Sequence, residues 1–300
     1  MECGKVKRDL DIVAKEFPDG RRQETASSAG LFIVGTDTGV GKTVIACAIA
    51  RLLVNHGVKV GVMKPVETGC RLVKGQCHPA DGAALKAAAR CEAPLSSITA
   101  YRYRLPLAPY AAARIAQRPG VNLGRVVQRF QMQRRRHDFM IVEGIGGLLV
   151  PLSARRDLID MVLAFDLPVL LVAHSGLGTL NHTLLTLRHG RERGVRFVGV
   201  LLNQTTSRRT LADATNPAII AKRCTLPVFS VPCFKRKLFS GGDDPVSALA
   251  QIRRVSPVWP TRFDNRQNPV LERDEEAESL QQWLLRLVKK AVGQRKQPEG

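Results

Sequence analysis

The sequence predicts an α/β fold, a single domain built on a mainly parallel central sheet with helices on both faces. Short apolar runs such as 139–142 and 169–172 alternate with stretches whose apolar residues recur at helical spacing. Continuous apolar strands are typical of parallel sheets that are buried on both faces. The 300 residues are enough for one large domain with a substantial core.

The predicted elements alternate along the body of the chain. Predicted strands cover 31–35, 58–63, 139–142, 169–172, 197–202 and 228–231, and predicted helices cover 43–56, 81–90, 110–117, 123–136, 178–192 and 207–222. Parallel sheets bind ligands at the carboxyl ends of their strands. We therefore expect the functional side chains directly after these strands.

The pattern weakens outside this body, which suggests three regions. Residues 1–29 are predicted to form a flexible N-terminal extension, 30–234 the ligand-binding domain, and 235–300 a C-terminal extension. Within the last region, 240–245 and 255–270 carry the Gly, Pro and Asn residues of loops, and one amphipathic helix is predicted at about 276–292. That helix is expected to pack either on the body or on a partner subunit.

Composition indicates an ordinary globular protein, with 44% hydrophobic and 24% charged residues. No run of about 18 apolar residues suggests a membrane-spanning helix, and the N-terminus lacks the apolar stretch of a signal peptide. We therefore expect a cytoplasmic protein without membrane contact. The seven cysteines are irregularly spaced, which favours reduced thiols. Cys70, Cys77, His78 and Cys91 lack the spacing of a zinc knuckle, so metal binding there is not favoured.

The net charge of +20 is the one extreme value. It belongs to the body, because residues 31–230 carry 27 basic and 11 acidic side chains. Such an excess can attract nucleotides or nucleic acid. However, no aromatic side chains are interleaved with the arginines as base-stacking platforms would be. A solvated, arginine-rich surface is the favoured interpretation, and nucleic acid is not expected as a partner.

A glycine-rich loop is the strongest functional signal. It follows a strand, precedes a helix and reads Gly35-Thr36-Asp37-Thr38-Gly39-Val40-Gly41-Lys42-Thr43. Backbone N–H groups in such a loop point at phosphate oxygens, the lysine reaches the β and γ phosphates, and the threonine hydroxyl binds magnesium. Five residues separate Gly35 from Gly41 instead of the usual four, and Thr36 stands where a glycine is expected. The sequence therefore predicts a nucleoside triphosphate site.

Three further candidates follow strands or begin helices beside this loop. Lys64 ends the second strand, where its charge could neutralise a phosphate or a carboxylated substrate. Glu143 ends a buried strand and precedes the glycines Gly144, Gly146 and Gly147, so it is a potential metal ligand at a close backbone approach. Asp81 is either an N-cap or part of a magnesium site.

Asn203 also follows a buried strand. Its amide could contact a nucleobase edge, and a role in a turn or helix cap is equally compatible with the sequence. His174 and His182 flank a glycine-containing loop without a serine and aspartate partner arrangement, so loop or cap roles are favoured over catalysis.

Together these motifs resemble those of the dethiobiotin synthetase family, ATP-dependent ligases with a P-loop NTPase-type fold. The similarity covers about residues 30–234. It rests on 35–43, 64–69, 107–112, 142–152 and 178–182, with Asp81 and Asn203. The resemblance implies a reaction that uses ATP, Mg²⁺ and CO₂ to close a cyclic urea on 7,8-diaminononanoate, giving dethiobiotin, ADP and phosphate. It also implies a homodimer whose diamine site is shared between subunits.

The resemblance assigns roles by position. Catalysis falls on Lys64 and Lys42, and magnesium on Thr43, Asp81 and Glu143. The implied ATP-binding residues are Thr38, Gly39, Val40, Gly41, Lys42, Thr43, Val44, Asp81, Glu143, Gly144, Ile145, Gly146, Asn203, Gln204 and Pro232. The implied substrate-binding residues are Thr38, Lys64, Thr68, Leu149, Pro151 and Asn181. Two departures stand out, since Gly39 replaces a loop carboxylate of some members and Gln204 replaces a common aspartate.

Two other functions are compatible with the phosphate loop. A cobyrinate amidating ligase has a related fold, but it needs a glutaminase cysteine, and no cysteine here lies in such a context. A partition-type, DNA-associated ATPase would account for the positive charge. Those ATPases usually carry a second lysine early in the loop, where this chain has Thr36, Asp37 and Thr38.

Overall fold

The computed structural model describes residues 29–233, 249, 252, 254–255, 262–263, 269–270 and 277–295. Its strands are β1 (Gly30–Gly35), β2 (Val60–Met63), β3 (Val66–Glu67), β4 (Arg71–Val73), β5 (Gln76–His78), β6 (Tyr101–Arg102), β7 (Phe139–Glu143), β8 (Val169–His174), β9 (Phe197–Asn203), β10 (Val228–Val231), β11 (Arg262–Phe263) and β12 (Pro269–Val270). Within this part of the chain, six strands form one sheet in the order β10-β9-β8-β1-β7-β2. All five neighbouring pairs are parallel.

Helices cover both faces of this sheet. They are α1 (Lys42–Asn55), α2 (Ala80–Ala88), α3 (Leu95–Ile98), α4 (Pro109–Ile115), α5 (Leu123–Arg134), α6 (Leu158–Phe165), α7 (Thr179–Glu192), α8 (Leu211–Cys224) and α9 (Leu280–Arg295). The predicted fold class, a mainly parallel sheet between two helical layers, is confirmed. Because the strands are parallel, all their carboxyl ends lie along one edge.

Successive side chains of a strand point to opposite faces of the sheet, so the core has two halves, one on each face. In β1, Leu31 and Ile33 belong to the half that contains α1 and α9. Phe32 and Val34 belong to the half that contains α6, where the rings of Phe32 and Phe165 lie 5.6 Å apart. Both faces of the strand are therefore buried, which is why its sequence is apolar throughout.

Helices α3 and α6 and the short strands β3 to β6, β11 and β12 were not predicted. Helix α6 begins with a capping box, in which the side chain of Asp157 accepts the backbone N–H of Asp160 and the side chain of Asp160 accepts the backbone N–H of Asp157. Most of its residues are buried, so the helix has little polar surface. Its sequence therefore lacks the alternation of apolar and polar residues, with a period of 3.6, by which a helix is recognised. The strands β3 to β6 are two or three residues long, too short for any periodicity. Elsewhere the predicted ends differ from the observed ends by a few residues.

The C-terminal helix α9 packs on the body of its own chain. It begins and ends a few residues later than predicted, and Leu280, Trp283 and Leu284 join the α1 half of the core. The Trp283 ring lies 5.4 Å from Phe229 of β10. A Cβ at Gly199 of β9 would lie 3.1 Å from the Trp283 ring, so glycine leaves room for the indole.

Of the predicted flexible segment 1–29, residues 1–28 lie outside the described residues, as do loop 240–245 and most of 255–270. Ala29 is buried in the core. Within 255–270 the loop prediction was wrong at β11 and β12, which pair antiparallel. The predicted division into extensions and domain stays a prediction. None of the helices that the structure describes has the length and apolar character needed to cross a bilayer.

We expect Trp283→Ala to lower the free energy of unfolding by about 3–5 kcal/mol, because it removes a large buried side chain from the seam between α9 and the sheet. Trp283 is 4% exposed. Urea denaturation would measure the change, with the exposed Lys289→Ala on the same helix as the matched control. Equal stability of the two variants would show that α9 does not contribute to the core in solution.

Candidate active site

The glycine-rich loop wraps around the ammonium group of Lys42. Lys42 is the first residue of α1 and only 6% exposed, and its Nζ donates to the carbonyl of Asp37 at 2.7 Å. A Cβ at Gly35 would lie 2.6 Å from the same Nζ. The loop therefore encloses a buried cation at the N-terminus of a fourteen-residue helix, an arrangement suited to anion binding.

Gly41 is the N-cap of α1 and has a left-handed backbone with φ 96°. Asn203, at the end of β9, donates from Nδ2 to the carbonyl of Val40 at 2.9 Å. A Cβ at Gly41 would collide with that side-chain amide. Asn203 is 7% exposed, so it braces the phosphate loop from a neighbouring strand, a role that its sequence position did not indicate.

A cluster of charges lies beside the loop and is centred on the buried Lys64. Its Nζ donates to Glu143 Oε1 at 2.5 Å and lies 3.1 Å from Asp81 Oδ2. The hydroxyl of Thr43, in the first turn of α1, donates to the same Glu143 oxygen at 2.8 Å. Lys64 is 4% and Glu143 1% exposed. Four predicted residues, two of them 100 positions apart, thus meet at one point.

The two lysines of the site have opposite pKa shifts. Burial lowers the pKa of Lys42 to about 8, and the nearby Lys64 charge acts in the same direction against Glu143, Asp37 and Asp81. Burial would also lower the pKa of Lys64, but the charges of Glu143 and Asp81 and their hydrogen bonds outweigh it and raise the pKa. The raised pKa favours the charged form of Lys64, whereas Lys42 loses its proton near pH 8.

Glu67 is a buried carboxylate whose role the sequence did not reveal. Helix α2 begins after Pro79, which provides no side-chain cap. Instead, Glu67 accepts the backbone N–H of Asp81 on Oε1 and that of Gly82 on Oε2, each at 3.0 Å. It thus caps the helix from outside and fixes the residue whose carboxylate contacts Lys64. The expectation that Asp81 could itself be the N-cap was wrong, because Asp81 lies inside the first turn.

The glycines after β7 allow two loops to pack backbone against backbone. A Cβ at Gly147 would lie 3.2 Å from the carbonyl oxygen of Thr36. Gly146 has a left-handed φ of 60°, and its Cβ would lie 3.6 Å from the Thr38 hydroxyl. Gly144 lies against Phe32 and Leu158 in the core. The segment after Glu143 therefore lies directly against the phosphate loop.

The oxygen atoms of this cluster fit a magnesium ion. Thr43, Asp81 and Glu143 offer a hydroxyl and two carboxylates, the hard ligands that Mg²⁺ prefers. Glu143 Oε2 is buried and has no hydrogen-bond partner among the described residues. Within those residues no group of three His, Cys, Asp or Glu side chains could hold a metal ion. Magnesium usually binds one or two carboxylates and completes its shell with water and phosphate oxygens, so two suffice.

Other predicted residues lie farther out. Thr38 and Gly39 are exposed at the loop tip, and Val40 is buried. Gln204 follows Asn203 and donates from its backbone to Val231, beside the exposed Pro232. The remaining predicted ATP residues, Val44 and Ile145, are half-buried.

The predicted substrate residues spread along the same edge. Thr68 is half-buried directly after β3. Leu149 is 60% exposed, and the Pro151 carbonyl accepts the N–H of Tyr110 at 3.1 Å. Asn181 is exposed on α7, in an open groove that is otherwise largely apolar. Their roles in binding stay predictions.

Comparison with known proteins identifies the family. A family model described as an AAA domain matches residues 29–232. An ATP-dependent dethiobiotin synthetase of Anaeromyxobacter sp. strain K is 45% identical over 193 residues, which cover 64% of this chain and 84% of the relative. The chain belongs to the ATP-dependent dethiobiotin synthetase family. The resemblance inferred from the motifs is therefore confirmed.

Further relatives with the same name come from two other bacterial genera. The synthetase of Bacillus licheniformis is 40% identical over 202 residues, 67% of this chain and 84% of the relative. That of Thermodesulfovibrio yellowstonii is 36% identical over 211 residues, 68% of this chain and 88% of the relative. Each match covers at least 84% of the relative.

We expect Glu67→Gln to lower the free energy of unfolding by about 1–3 kcal/mol, because the amide that replaces one oxygen cannot accept a backbone N–H. Hydrogen exchange at Asp81 and Gly82 should accelerate with it. The control is Glu92→Gln, which removes an exposed acid beyond the same helix. Unchanged exchange at both residues would mean that Glu67 does not cap α2.

Proposed function

We propose that this site phosphorylates a carbamate and closes the cyclic urea of dethiobiotin, from 7,8-diaminononanoate, CO₂ and ATP. The observation that carries the proposal is the buried Lys64 ammonium between Glu143 and Asp81, beside a phosphate loop. The names of the relatives support the same reaction. A simple binding module would not need two buried lysines and two carboxylates at one point.

Lys42 and Lys64 would offset the negative charges of the reacting groups. A carbamate on one amine attacks the γ-phosphate through its oxygen, and the second amine then displaces phosphate from the mixed anhydride. Carbamate and triphosphate are both anionic, so they repel each other. Lys64, which keeps its proton, offsets this repulsion and stabilises the transferring phosphoryl group, while Lys42 holds the β and γ phosphates.

We assign magnesium to Thr43, Asp81 and Glu143. When bound, the ion would neutralise charge on the phosphate oxygens. In the structure Lys64 contacts both carboxylates, and its ammonium balances their charge. Glu67 acts at a distance from this chemistry, as the residue that keeps Asp81 in place.

The rest of the site is assigned from the family resemblance. The loop 38–44 and Gly144, Ile145 and Gly146 would bind the phosphates, and Asn203, Gln204 and Pro232 would face the adenine. The side-chain amide of Asn203 donates one of its two hydrogens to the carbonyl of Val40. Its Oδ1 and its second amide hydrogen are therefore the atoms that can bond to a base. Thr38, Lys64 and Thr68 would contact the diamine of the same subunit.

We further propose a homodimer in the cytoplasm. Leu149, Pro151 and Asn181 would contribute to a diamine site shared with the partner subunit. The exposed Leu149 and the apolar groove that includes Asn181 and Leu185 are compatible with such an interface. A partition-type ATPase is the less favoured alternative, because neither the relatives nor the loop residues Thr36, Asp37 and Thr38 support it.

Phosphate release should depend on the diamine. We expect the protein with ATP, Mg²⁺ and bicarbonate to release phosphate only when 7,8-diaminononanoate is added, in a one-to-one ratio with dethiobiotin, detected by mass spectrometry. Turnover that ignores the diamine but responds to DNA or to glutamine would contradict the ligase assignment and favour one of the alternatives.

Lys64→Gln is the matched variant for this assay. We expect it to lose at least about 100-fold in turnover, since one electrostatic stabiliser is typically worth that much. Both Lys64→Gln and Lys64→Ala remove one partner of a buried ion pair, which costs about 3–5 kcal/mol of stability. Gln is preferred because its amide can still donate a hydrogen bond to Glu143, and thermal melting checks that the variant folds. The exposed Lys59→Gln is the control, and equal turnover of Lys64→Gln and Lys59→Gln would remove Lys64 from the mechanism.

The affinity for ATP should fall with rising pH. Since the pKa of Lys42 is lowered to about 8, Lys42 is protonated below that pH and neutral above it in the free protein. Bound phosphates favour the protonated form of Lys42. Binding of ATP above pH 8 is therefore accompanied by uptake of a proton by the Lys42 amine. We expect the Kd to be nearly constant up to about pH 7, to have doubled by about pH 8 and to rise up to about tenfold per pH unit above it.

Titration calorimetry in two buffers of different ionisation enthalpy would count the proton. Uptake should approach one proton per ATP at pH 9. Lys42→Met should bind ATP weakly with no pH dependence in this range. A Kd that rises equally in the parent protein and in Lys42→Met would assign the effect to another group.

A further inference from the structure

A cysteine and a histidine meet at the edge of the sheet opposite the candidate active site. Cys91 follows α2, and His137 lies between α5 and the start of β7. Cys91 Sγ lies 3.8 Å from His137 Nε2, and His137 Nδ1 lies 2.8 Å from the carbonyl oxygen of Gln133. A carbonyl can only accept, so Nδ1 carries a proton and Nε2 is the nitrogen that exchanges a proton with the thiol.

The backbone holds Cys91 in a fixed place. Arg90 has a left-handed φ of 47°, and its N–H donates to the carbonyl of Ala87 at 3.3 Å. The N–H of Cys91 donates to the carbonyl of Lys86 at 3.0 Å. These two bonds form a Schellman motif, which ends α2 and orients the thiol toward the imidazole.

The pair lines an open cavity of about 610 Å³. This volume lies in the range of small-molecule sites, about 300–1,000 Å³. Three cationic side chains, Lys59, Arg90 and Arg136, also line the cavity, with the single carboxylate Glu92 among the described lining residues. The cavity therefore favours anions.

The surroundings also favour the thiolate. Burial would raise the pKa of Cys91, but the hydrogen bond with His137 and the backbone N–H groups of Ala93 and Val62 outweigh burial and lower it. The hydrogen bond to Cys91 raises the pKa of His137 against the effects of burial and Lys59. Both shifts favour transfer of the thiol proton to Nε2.

We propose that Cys91 is a thiol-modification site at which small anionic disulfides, such as oxidised glutathione, form a mixed disulfide. The Cys91 thiolate attacks one sulfur, the S–S bond of the small disulfide breaks, and a new S–S bond joins Cys91 to one half. The other half leaves as a thiolate and takes the proton held at His137 Nε2. Cys91 is oxidised and the departing half is reduced, so no further oxidant is needed.

Cys77 provides an internal control. It is half-buried, whereas Cys91 is 6% exposed, so exposure alone would make Cys77 the faster thiol. The reduced full-length protein would be treated with oxidised glutathione or with the neutral 2-hydroxyethyl disulfide, and the adducts quantified by peptide mass spectrometry. We expect Cys91 to react at least about tenfold faster than Cys77 with the anionic reagent, and with a larger anionic-to-neutral rate ratio.

Two variants separate the histidine from the cavity charge. His137→Asn keeps a donor near the Gln133 carbonyl and removes Nε2, so it should slow Cys91 about tenfold with both reagents. Should it fail to fold, as judged by thermal melting, His137→Gln tests the same loss of a titratable nitrogen. The exposed double variant Lys59→Gln/Arg136→Gln should lose the preference for the anionic reagent while retaining the rate with the neutral one.

Either of two results would overturn the proposal. One is a Cys91 rate equal to or below that of Cys77 with both reagents. The other is an unchanged Cys91 rate in a folded His137 variant. Phosphate release by the unmodified variants should match the parent, because the pair lies at the opposite edge from the site.

Discussion

The candidate active site depends on the buried ion pair between Lys64 and Glu143. Each partner is almost fully buried, so an unpaired charge at either position would cost several kcal/mol. The pair joins the ends of β2 and β7, and the same Glu143 oxygen accepts the hydroxyl of Thr43 from the phosphate loop helix. Three segments of the chain are therefore held in one register by one carboxylate.

Strand order makes this convergence possible. The sheet inserts β7 between β1 and β2, so that the end of β7 lies between the phosphate loop and Lys64. The loops that leave these strands must then pass each other closely. Glycine at 41 and 147 permits that approach, and Asn203 reaches in from β9 to brace the loop backbone. The supports of the site are thus backbone and buried amide contacts from several strands.

Helix α2 connects two kinds of chemistry at opposite edges of the sheet. Its first turn carries Asp81, held by the carboxylate of Glu67, and its last turn leads directly to Cys91. Both ends rely on groups outside the helix for their hydrogen bonds, because Pro79 offers no cap and Arg90 must adopt a left-handed backbone. The cap at each end of this nine-residue helix therefore positions one functional side chain.

The sequence by itself determined the fold class, the phosphate loop and the choice of Lys64, Asp81 and Glu143 as candidate functional residues. Apolar runs and glycine spacing are local properties that can be read without knowing the fold. Parallel strands have their carboxyl ends on one edge of the sheet in any strand order, so residues that follow strands can be assigned to that edge. The tertiary structure alone decided that β7 lies between β1 and β2, that Glu67 caps α2, and that Asn203 braces Val40. It also brought Cys91 to His137. Each of these contacts joins residues far apart in the chain, and long-range pairing depends on packing that no local pattern encodes.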